Sequence, residues 1–580
     1  MSKKRLLVRI VQIGAIALLV VVLLVEAFFL YPFWGFPLRG NTGPVPKTPA
    51  WALECWLWED DVNTADAVQE LLAGYEAHDI PVRTILIDSP WSTRYNDFIV
   101  DEKRYPKPAE FFGNLQARGY RVVLWMTSMV NSENPDTAIS DASDWYAEAA
   151  RKGYLVGGDF QTEWWKGRGG FIDYTHPQAM QWWRGLQEQV LAWGIDGWKL
   201  DGSATLLHNR MLGIPLPFQK AHTGWITTRQ YMDLYYREEY RHGLSKNPEF
   251  VTMSRSLDSP TPWAHPEGFA PLDASPVNWV GDNKHEWSDE ARGLERAIRC
   301  ILDSARLGYN VIGSDIGGYH GGKEIPPLLY IRWAQFSTFC GFFLNGGHGE
   351  RRLWLRTPEE LEIIRTYSWL HTELVPYMYT YVVQCHNGNK PLMRPLKEGT
   401  YQYLFGDYFL VAPLYTPEPR REIVFPEGQW RWWHDDRRVF SGNTSETLEF
   451  RTDQYPVFVR EGAIIPMRIA RNYTGIGDKE WADYLTWNIF PDQEGAFTVY
   501  LPDDDEELTL SYQRHLTELQ VTVNGRHIPH ILYIRLERAP NRVTLDGVEL
   551  PSTAWSYSSE KLRLTIRTDS YAHGDYRIEL

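Results

Sequence analysis

Cysteine is scarce in this sequence, and its placement argues against both disulfide bonds and a cysteine-bound metal. The chain has four cysteines in 580 residues, Cys55, Cys300, Cys340 and Cys385. None has the spacing of a metal site, and each lies in an apolar run, which predicts buried free thiols. No H-x-H or H-E-x-x-H pattern occurs, so a metal-dependent hydrolase is disfavoured. We expect neither a metal nor an organic cofactor.

Basic residues are also in deficit. The 59 Lys and Arg residues are outnumbered by 74 Asp and Glu residues, which gives a formal net charge of −15. Binding to a phosphate backbone requires clustered Lys and Arg that displace counterions. Nucleic acid is therefore excluded as a predicted partner. Short-period repeats are absent as well, and the length allows several domains.

The first 50 residues differ from the rest of the chain. Residues 10–31 are nearly all apolar and follow Lys3, Lys4, Arg5 and Arg9. This pattern predicts a transmembrane signal anchor that makes the membrane a partner, with residues 1–9 cytoplasmic and the catalytic domain outside the cytoplasm. A cleaved signal peptide is the rival interpretation, but the run ends in bulky aromatic residues rather than a small-residue cleavage site. Residues 32–50 are rich in Pro and Gly and predict a stalk.

Eight short apolar runs then alternate with amphipathic segments. The runs lie near residues 51–58, 83–88, 121–127, 197–202, 250–256, 276–282, 310–316 and 340–346, and the helical patterns include Ala65–Ala77, Pro177–Trp193, Glu290–Leu307 and Pro358–Val382. Eight strands alternating with helices predict an α/β fold, a closed parallel (β/α)8 TIM barrel over residues 51–388. Beyond it, β-rich runs predict a proximal β-sandwich at 389–470 and a distal β-rich domain at 471–580.

Two of the predicted strands end in a carboxylate. Gly197-Trp-Lys-Leu-Asp201 and Val277-Asn-Trp-Val-Gly-Asp282 share this design, each with a tryptophan, Trp198 or Trp279, to offer a flat face to a sugar ring. Paired carboxylates are what glycoside hydrolysis requires, because the leaving oxygen needs a proton and the anomeric carbon needs a negative group. The alternative is that each Asp caps the next helix.

Other polar residues also come at predicted strand ends, where a barrel places its active site. These are Asp88, Arg255, Asp315 and His348. The carboxylates have the chemistry to accept hydrogen bonds from sugar hydroxyls, Arg255 to hold a carboxylate or hydroxyls, and His348 to donate to one. Capping of helices, ion pairs and ties between loops are the structural alternatives for these residues.

The motifs together resemble glycoside hydrolase family 31, the retaining α-glycosidases, from about Trp51 to about residue 470. The resemblance is carried by Trp198-Lys-Leu-Asp201, Asn278-Trp-Val-Gly-Asp282-Asn283, Ser254-Arg255-Ser256, Gly313-Ser-Asp315-Ile-Gly-Gly318, Arg332-Trp333, Pro391-Leu-Met-Arg394-Pro and Gly406-Asp-Tyr-Phe-Leu-Val-Ala-Pro413. It implies a retaining exo-acting α-glycosidase with Asp201 as nucleophile and Asp282 as acid/base. The implied substrate-binding residues are Asp88, Trp165, Lys199, Arg255, Trp279, Asp315 and His348.

Departures from the family pattern indicate an altered sugar pocket. Ala204 stands where the better-known α-glucosidases carry an acidic residue, Thr127 stands about where they carry an aspartate, and no arginine precedes His348 by two residues. The large amino-terminal β-sandwich of the family has no room either. An epimer, a substituted sugar or a charged sugar therefore becomes a candidate substrate rather than ordinary glucose. Lys166, Arg168, Arg351 and Arg352 have the charge to meet an anionic substituent, although solvated surface charge also explains them.

Two other functions fit the same scaffold. A catalytically silent glycan-binding protein is consistent with Ala204 and the altered strand ends, and a transglycosidase would pass the sugar to an acceptor other than water. The sequence leaves the sugar, its linkage, the oligomeric state and carbohydrate binding by the C-terminal domains open. Trp430, Trp432 and Trp433 occupy one predicted strand there, and a sandwich core accounts for them most simply.

Overall fold

The structure is a computed structural model that describes residues 3–25, 43–202, 209–211, 214–216, 218–258, 270–322, 324–502 and 507–580. Ala204, which bears on sugar specificity, lies outside the described residues.

The N-terminal segment forms the helix Lys3–Val25. The transmembrane helix predicted at residues 10–31 is not supported, because no helix among the described residues is both long and apolar enough to cross a membrane. Residues 26–31 of the predicted anchor and residues 32–42 of the predicted stalk lie outside the described residues.

The eight predicted barrel strands are confirmed, each inside its predicted run. They are β1 (Trp56–Leu57), β2 (Thr84–Ile87), β3 (Arg121–Met126), β4 (Gly197–Leu200), β5 (Val251–Arg255), β6 (Val277–Trp279), β7 (Ile312–Gly313) and β8 (Leu344–Asn345). They form one sheet in the order β7-β6-β5-β4-β3-β2-β1-β8. A parallel bridge between Asp315, just after β7, and Leu344 in β8 joins its two ends.

The strand pairs of the sheet are parallel. Trp56 pairs with Thr84 and Leu344, Val251 with Gly197, and Asn278 with Ile312. All residues of β4 and β5 are buried, as expected for parallel strands covered on both faces.

Helices follow the strands along the chain. Their bounds are Ala65–Ala77, Pro108–Ala117, Ser143–Arg151, Pro177–Ala192, Thr228–Lys246, Leu294–Arg306, Pro327–Thr338, Pro358–Glu373 and Val375–His386, with 3₁₀ helices at Ala50–Leu53, Leu272–Ala274, Leu353–Leu355 and Lys479–Trp481. The helix predicted as Pro358–Val382 is two helices, because Pro376 has no N–H to continue the first one. A capping box of Thr357 and Glu360 starts the first of them.

Small hairpins and sheets decorate the connections after β3 and β4. The strand Met129–Glu133 pairs with Gly167–Phe171, which pairs with Thr162–Trp164. After β4, the strands are Asn209–Met211, Ile214–Leu216, Phe218–Ala221 and Gly224–Thr227.

The C-terminal part of the chain is built from antiparallel-rich sheets, as predicted. A six-stranded sheet contains Met393–Pro395, Tyr403–Phe405, Phe409–Val411, Val457–Arg460, Gln429–Trp432 and Asp435–Ser441, and Arg420–Phe425 pairs with Thr444–Glu449. A nine-stranded sheet contains Ile464–Met467, Leu485–Ile489, Glu494–Tyr500, Glu507–Arg514, Glu518–Arg535, Arg542–Leu545, Val548–Glu549, Trp555–Ser558 and Arg563–Glu579.

The chain divides into two compact units. The first comprises Met1–Gly43, Ser89–Gly113 and Leu124–Ser275, and the second comprises Pro44–Asp88, Asn114–Val123 and Pro276–Leu580. The four cysteines are free thiols, and three of them are buried, which confirms the prediction for Cys55, Cys300 and Cys340, whereas Cys385 is half-buried.

Candidate active site

In the first unit, Asp201 follows β4, and its carboxylate is held by two side chains and one backbone amide. Its Oδ1 atom accepts hydrogen bonds from Nε and Nη2 of Arg255, at 3.1 and 2.9 Å, and from the Gly202 amide at 2.8 Å. Its Oδ2 atom accepts a hydrogen bond from the Trp125 indole N–H at 3.2 Å. The carboxylate is thus fixed in orientation by donors from the ends of β3 and β5.

The electrostatics of this cluster favour the ionised carboxylate. Burial alone would raise the pKa of Asp201, but the positive charges of Arg255 and Lys199 outweigh it and hold that pKa below its usual value. Lys199 and Arg255 are both buried. Arg255 also lies 3.4 Å from Asp258, so its guanidinium bridges two carboxylates.

Trp165 lies against the backbone that follows Asp201. It sits at the turn between Thr162–Trp164 and Gly167–Phe171, and 53% of its surface is exposed. A Cβ atom on Gly202 would come within 2.5 Å of the Trp165 ring, and Gly202 has φ +60°. Glycine is therefore required here by both space and backbone conformation.

An aromatic cluster packs around Trp164, which contacts both Trp165 and Trp125. The Trp164 ring lies parallel to the Trp125 ring, with centroids 6.4 Å apart, and meets Trp165 edge to face at 5.1 Å. Tyr95 packs against both Trp125 and Trp164. These contacts lock the indole that donates to Asp201, so the aromatic wall and the carboxylate form one rigid assembly.

In the second unit, the loops after β6, β7 and β8 are joined by backbone hydrogen bonds. The amide of Tyr319 donates to the carbonyl of Asn283 at 2.9 Å, and the amide of His348 donates to the carbonyl of Tyr319 at 2.8 Å. Arg351 is fully buried and donates to the carbonyls of Ile316, Gly318 and His348. Asp282, directly before Asn283, is therefore carried on a braced loop.

Tyr319 lies among the carboxylates of this unit. Its hydroxyl donates to Asp60 at 2.8 Å, and its ring stacks on Trp58 with centroids 5.7 Å apart. Burial and the negative charges of Asp60, Asp88 and Asp282 raise the pKa of Tyr319 far above its ordinary value. Tyr319 thus stays protonated and acts as a hydrogen-bond donor within an acidic group.

His348 lies between two carboxylates that follow β1. Its Nδ1 atom is 2.7 Å from Asp61, and its Nε2 atom is 3.5 Å from Asp60. The imidazole is thus tied to β1, with 39% of its side chain exposed.

Four further residues that the sequence singled out are buried. Trp198 and Trp279 are fully buried, so neither presents a ring face to a sugar in this structure, and Trp198 packs against Phe98 and Phe250. Asp88 and Asp315 are buried at the ends of β2 and β7.

Thr127 is also buried, and it exchanges hydrogen bonds with the side chain of Asn96. The Asn96 amide donates to the Thr127 hydroxyl at 3.0 Å, and the Thr127 backbone N–H donates to the Asn96 carbonyl oxygen at 3.0 Å. This hydroxyl is therefore engaged by the protein.

The four basic residues considered for an anionic substituent also have protein partners. Lys166 pairs with Asp136 at 2.9 Å, Arg168 lies 3.9 Å from Glu133, and Arg352 pairs with Glu350 at 2.8 Å, while Arg351 serves the three carbonyls described above. These contacts favour the structural interpretation of the four charges.

Four residues with contacts to the predicted site residues were not predicted from the sequence: Trp125 in the first unit, and Asp60, Asp61 and Tyr319 in the second. Asp60 and Asp61 follow β1 just as Asp88 follows β2, so the rule of polar residues at strand ends would have found them. Trp125 lies inside β3 and Tyr319 lies beyond the end of β7, and the sequence carries no signal for either. Among the described residues, no group of three His, Cys, Asp or Glu side chains is arranged to hold a metal ion.

The sequence of this chain matches two family models. The model of the glycosyl hydrolases family 31 TIM-barrel domain matches residues 45–381, and that of the glycosyl hydrolase family 31 C-terminal domain matches residues 383–465. The first match alone covers more than half of the chain.

Individual proteins match over most of this chain. Alpha-glucosidase 2 of Bacillus thermoamyloliquefaciens is 25% identical over 90% of this chain, and an alpha-xylosidase of Emericella nidulans is 26% identical over 73% of it. The chain covers 66% and 54% of these two relatives, less than two thirds of either. The solved structure of Flavobacterium johnsoniae GH31 dextranase FjDex31A in complex with isomaltotriose superposes with a TM-score of 0.81, at 22% identity, over 93% of this chain and 72% of that one. The structural likeness shows the shared fold, and the family models decide the assignment: the chain belongs to glycosyl hydrolase family 31.

Proposed function

We propose that this protein is a retaining, exo-acting α-glycosidase that hydrolyses an O-glycosyl bond, with Asp201 as nucleophile and Asp282 as general acid/base. The observation that supports it most directly is the setting of Asp201: a buried carboxylate whose pKa is held low by Arg255 and Lys199, beside the half-exposed Trp165. A nucleophile must be ionised and held in one orientation, and the lowered pKa and the hydrogen bonds of Asp201 support that role.

The two oxygens of Asp201 differ in their hydrogen bonds, which suggests which of them attacks. From the residues that the structure describes, Oδ1 accepts three hydrogen bonds, whereas Oδ2 accepts one. The less solvated Oδ2 is the better nucleophile, because each donor withdraws electron density from the oxygen it binds. We assign Oδ2 to the attack and Oδ1 to the anchoring of the group.

The proposed reaction has two displacements. In the first, Oδ2 of Asp201 forms a bond to the anomeric carbon while the bond to the leaving oxygen breaks, and Asp282 gives that oxygen its proton. In the second, Asp282 takes a proton from water, the water oxygen bonds to the anomeric carbon, and the bond to Asp201 breaks. Retention by this route needs the two carboxyl groups about 5 to 5.5 Å apart.

We further propose that the sugar is not the glucose of standard α-glucosidases. Thr127 stands about where standard α-glucosidases carry an aspartate and is hydrogen-bonded to Asn96, and the imidazole of His348, which no arginine precedes by two residues, pairs with Asp61. Loss of an acceptor for a particular hydroxyl weakens recognition of the sugar that carries it. Galactose, xylose and N-acetylgalactosamine are thus better candidates than glucose.

The proposal is tested by kinetics with chromogenic α-glycosides of glucose, galactose, xylose, N-acetylgalactosamine and sulfoquinovose. Asp201→Asn is expected to lower kcat by about a thousandfold or more, since covalent chemistry is lost. Asp282→Ala is expected to slow substrates with poor leaving groups most, since these need the proton.

Azide then distinguishes the two roles. Added to Asp282→Ala it should yield the α-glycosyl azide, by attack on the glycosyl-enzyme, and added to Asp201→Ala it should yield the β-glycosyl azide, by direct attack. Full activity of Asp201→Asn, or the opposite pair of azide products, would exclude the assignment.

A further inference from the structure

A cavity lies in the second unit, and none of the residues that line it was discussed as catalytic or substrate-binding. It has a volume of about 650 Å³ and is bounded by the helix Pro358–Glu373, the loop at residues 451–453 and Tyr473 and Thr474. A smaller cavity of about 280 Å³ shares Trp433, His434 and Thr474 with it. We call the larger cavity the C-terminal cleft, defined by Glu362, Thr366, Trp433, His434, Arg451 and Asp453.

Trp433 forms the aromatic wall of this cleft. Of the three neighbouring tryptophans, Trp430 and Trp432 are buried at 1% and 6% exposure, as a sheet core requires, whereas Trp433 is only half-buried and lines both cavities. Its backbone amide donates to Val457 at 3.0 Å, and its ring meets the ring of Phe409 at 5.5 Å. The core therefore explains two of the three indoles, and the third is a fixed ring open to a cavity.

His434, next to Trp433, supplies a directed hydrogen-bond donor. Its Nε2 atom accepts the Tyr455 amide at 3.1 Å, so the ring proton resides on Nδ1 when the imidazole is neutral. No partner for Nδ1 is found among the residues described. Desolvation by the surrounding protein lowers the pKa of His434 to about 4, although the ring stays open to the cleft, so the imidazole is neutral at neutral pH.

The loop that carries Arg451 and Asp453 is fixed by hydrogen bonds from the helix Pro327–Thr338. Arg332 donates to the carbonyls of Phe450, Arg451, Thr452 and Gln454, and Gln335 donates to Thr452 at 2.8 Å. Arg332 is buried. On the surface of this loop, Arg451 forms two hydrogen bonds with Asp453, at 3.0 and 2.8 Å. Fixed polar groups of this kind lower the entropy lost when a ligand binds.

The charges of the cleft exclude an anionic ligand. Its lining has three carboxylates, Glu359, Glu362 and Asp453, against one guanidinium, Arg451, which Asp453 already neutralises. A phosphate or a carboxylate ligand would therefore meet net negative charge. Carboxylates accept from hydroxyls, and a half-exposed indole packs against the C–H face of a sugar ring.

From these observations we infer that the C-terminal cleft is a non-catalytic binding site for a neutral saccharide, stacked on Trp433 and hydrogen-bonded by His434, Glu362 and the Arg451–Asp453 pair. The site is independent of the glycosidase proposal, because it shares no residue with it. A saccharide held there would tether the enzyme to a polymeric glycan without being cleaved.

Affinity electrophoresis of the full chain tests this inference. The native gels contain soluble dextran, glycogen, xyloglucan or galactomannan, and the retardation of the protein gives a dissociation constant for each polymer. The wild-type chain is expected to be retarded by at least one polymer. Trp433→Ala is expected to weaken that retardation at least tenfold. Thr366→Trp, which fills the cleft from an exposed helix face while leaving Trp433 in place, is expected to do the same.

Trp225→Ala is the matched control, since Trp225 is 69% exposed and lies outside the cleft. It is expected to be retarded as the wild type is. Absence of retardation by all four polymers would overturn the inference. If either Trp433→Ala or Thr366→Trp is retarded as strongly as the wild type, the inference is overturned as well, because the polymer then binds elsewhere on the protein. Neither outcome depends on whether the protein proves to be a glycosidase.

Discussion

Arg255 places two of its nitrogen atoms within 3.1 Å of a single oxygen of Asp201. The bonded oxygen is Oδ1, and among the described residues the other oxygen accepts a hydrogen bond from the Trp125 indole N–H alone. A guanidinium that binds in this way fixes both the charge and the rotation of the carboxylate. The relationship makes Arg255 a positioning residue for the proposed nucleophile.

Replacement of Arg255 by lysine is expected to lower kcat/KM by about a hundredfold or more, because a single ammonium cannot reproduce the two hydrogen bonds that converge on Oδ1. Arg255 lowers the pKa of Asp201 by its positive charge, so Arg255→Met, which removes that charge, should raise the pKa of Asp201 and move the acidic limb of kcat/KM to higher pH. Arg237→Met, at the Arg237–Asp273 ion pair of the same unit, is the control that should leave this limb in place. An unshifted acidic limb in Arg255→Met would contradict the account.

Gly202→Ala is expected to reduce activity by about tenfold or more without unfolding the protein. The new methyl group would press on the Trp165 ring, and φ +60° is unfavourable for alanine. Kinetics of the single variant and of Gly202→Ala with Trp165→Ala separate the two causes. If the clash dominates, the double variant, which lacks the indole, regains the wild-type geometry of Asp201. Its acidic limb of kcat/KM then lies at the wild-type pH. An activity of Gly202→Ala equal to wild type would show that the wall does not constrain Asp201.

Glu373 gives a prediction for stability against pH. It is buried, accepts hydrogen bonds from the amides of Ala470 and Arg471 and from the Thr474 hydroxyl, and burial raises its pKa to about 7. The ordinary value is 4.5, so the folded protein binds the proton more tightly than the unfolded chain does. The stabilisation is fully present below pH 4.5 and is lost as pH rises towards 7.

Glu373→Gln is therefore expected to remove a fall of roughly 3 kcal/mol in the free energy of unfolding across this range. Urea unfolding at several pH values between about 4 and 8 measures it. Glu362→Gln, on the exposed face of the same helix, should keep the wild-type slope. If Glu373→Gln keeps that slope too, Glu373 does not titrate in this range.

Arg332→Met tests the support of the loop at residues 450–454. The variant removes the donor to four carbonyls, so we expect a loss of roughly 3 kcal/mol in the free energy of unfolding. Urea denaturation measures it. Arg420→Met is the comparison, since Arg420 is in an exposed pair with Glu449 and should change stability by less than about 0.5 kcal/mol. Equal losses of stability in the two variants would be inconsistent with the support of this loop by Arg332.

The barrel was predictable from sequence because its strands are short apolar runs that end in polar residues. All eight strands lie inside the predicted runs, and the helix Ala65–Ala77 has the predicted bounds. The break at Leu374 was missed because the apolar periodicity continues across Pro376, and periodicity reports burial rather than backbone hydrogen bonds.

The site was predictable only in part, because hydrogen-bond partners far apart in sequence leave no pattern. Asp201 and Arg255 come from strand ends, whereas the donor Trp125 and the pair Tyr319–Asp60 depend on packing between distant segments. Burial of Trp198 and Trp279 likewise depends on which face of a strand each side chain takes. The location of the catalytic domain outside the cytoplasm stays a prediction.

The most direct test of the account is mass spectrometry of the enzyme trapped with an activated 5-fluoroglycosyl fluoride of the preferred sugar, whose electron-poor ring slows release of the glycosyl-enzyme. The account predicts a protein mass increased by one glycosyl group, carried after proteolysis by the peptide that contains Asp201, and no such adduct in Asp201→Asn. A glycosyl group on another residue, or turnover that inverts the anomeric configuration and forms no adduct, would contradict it.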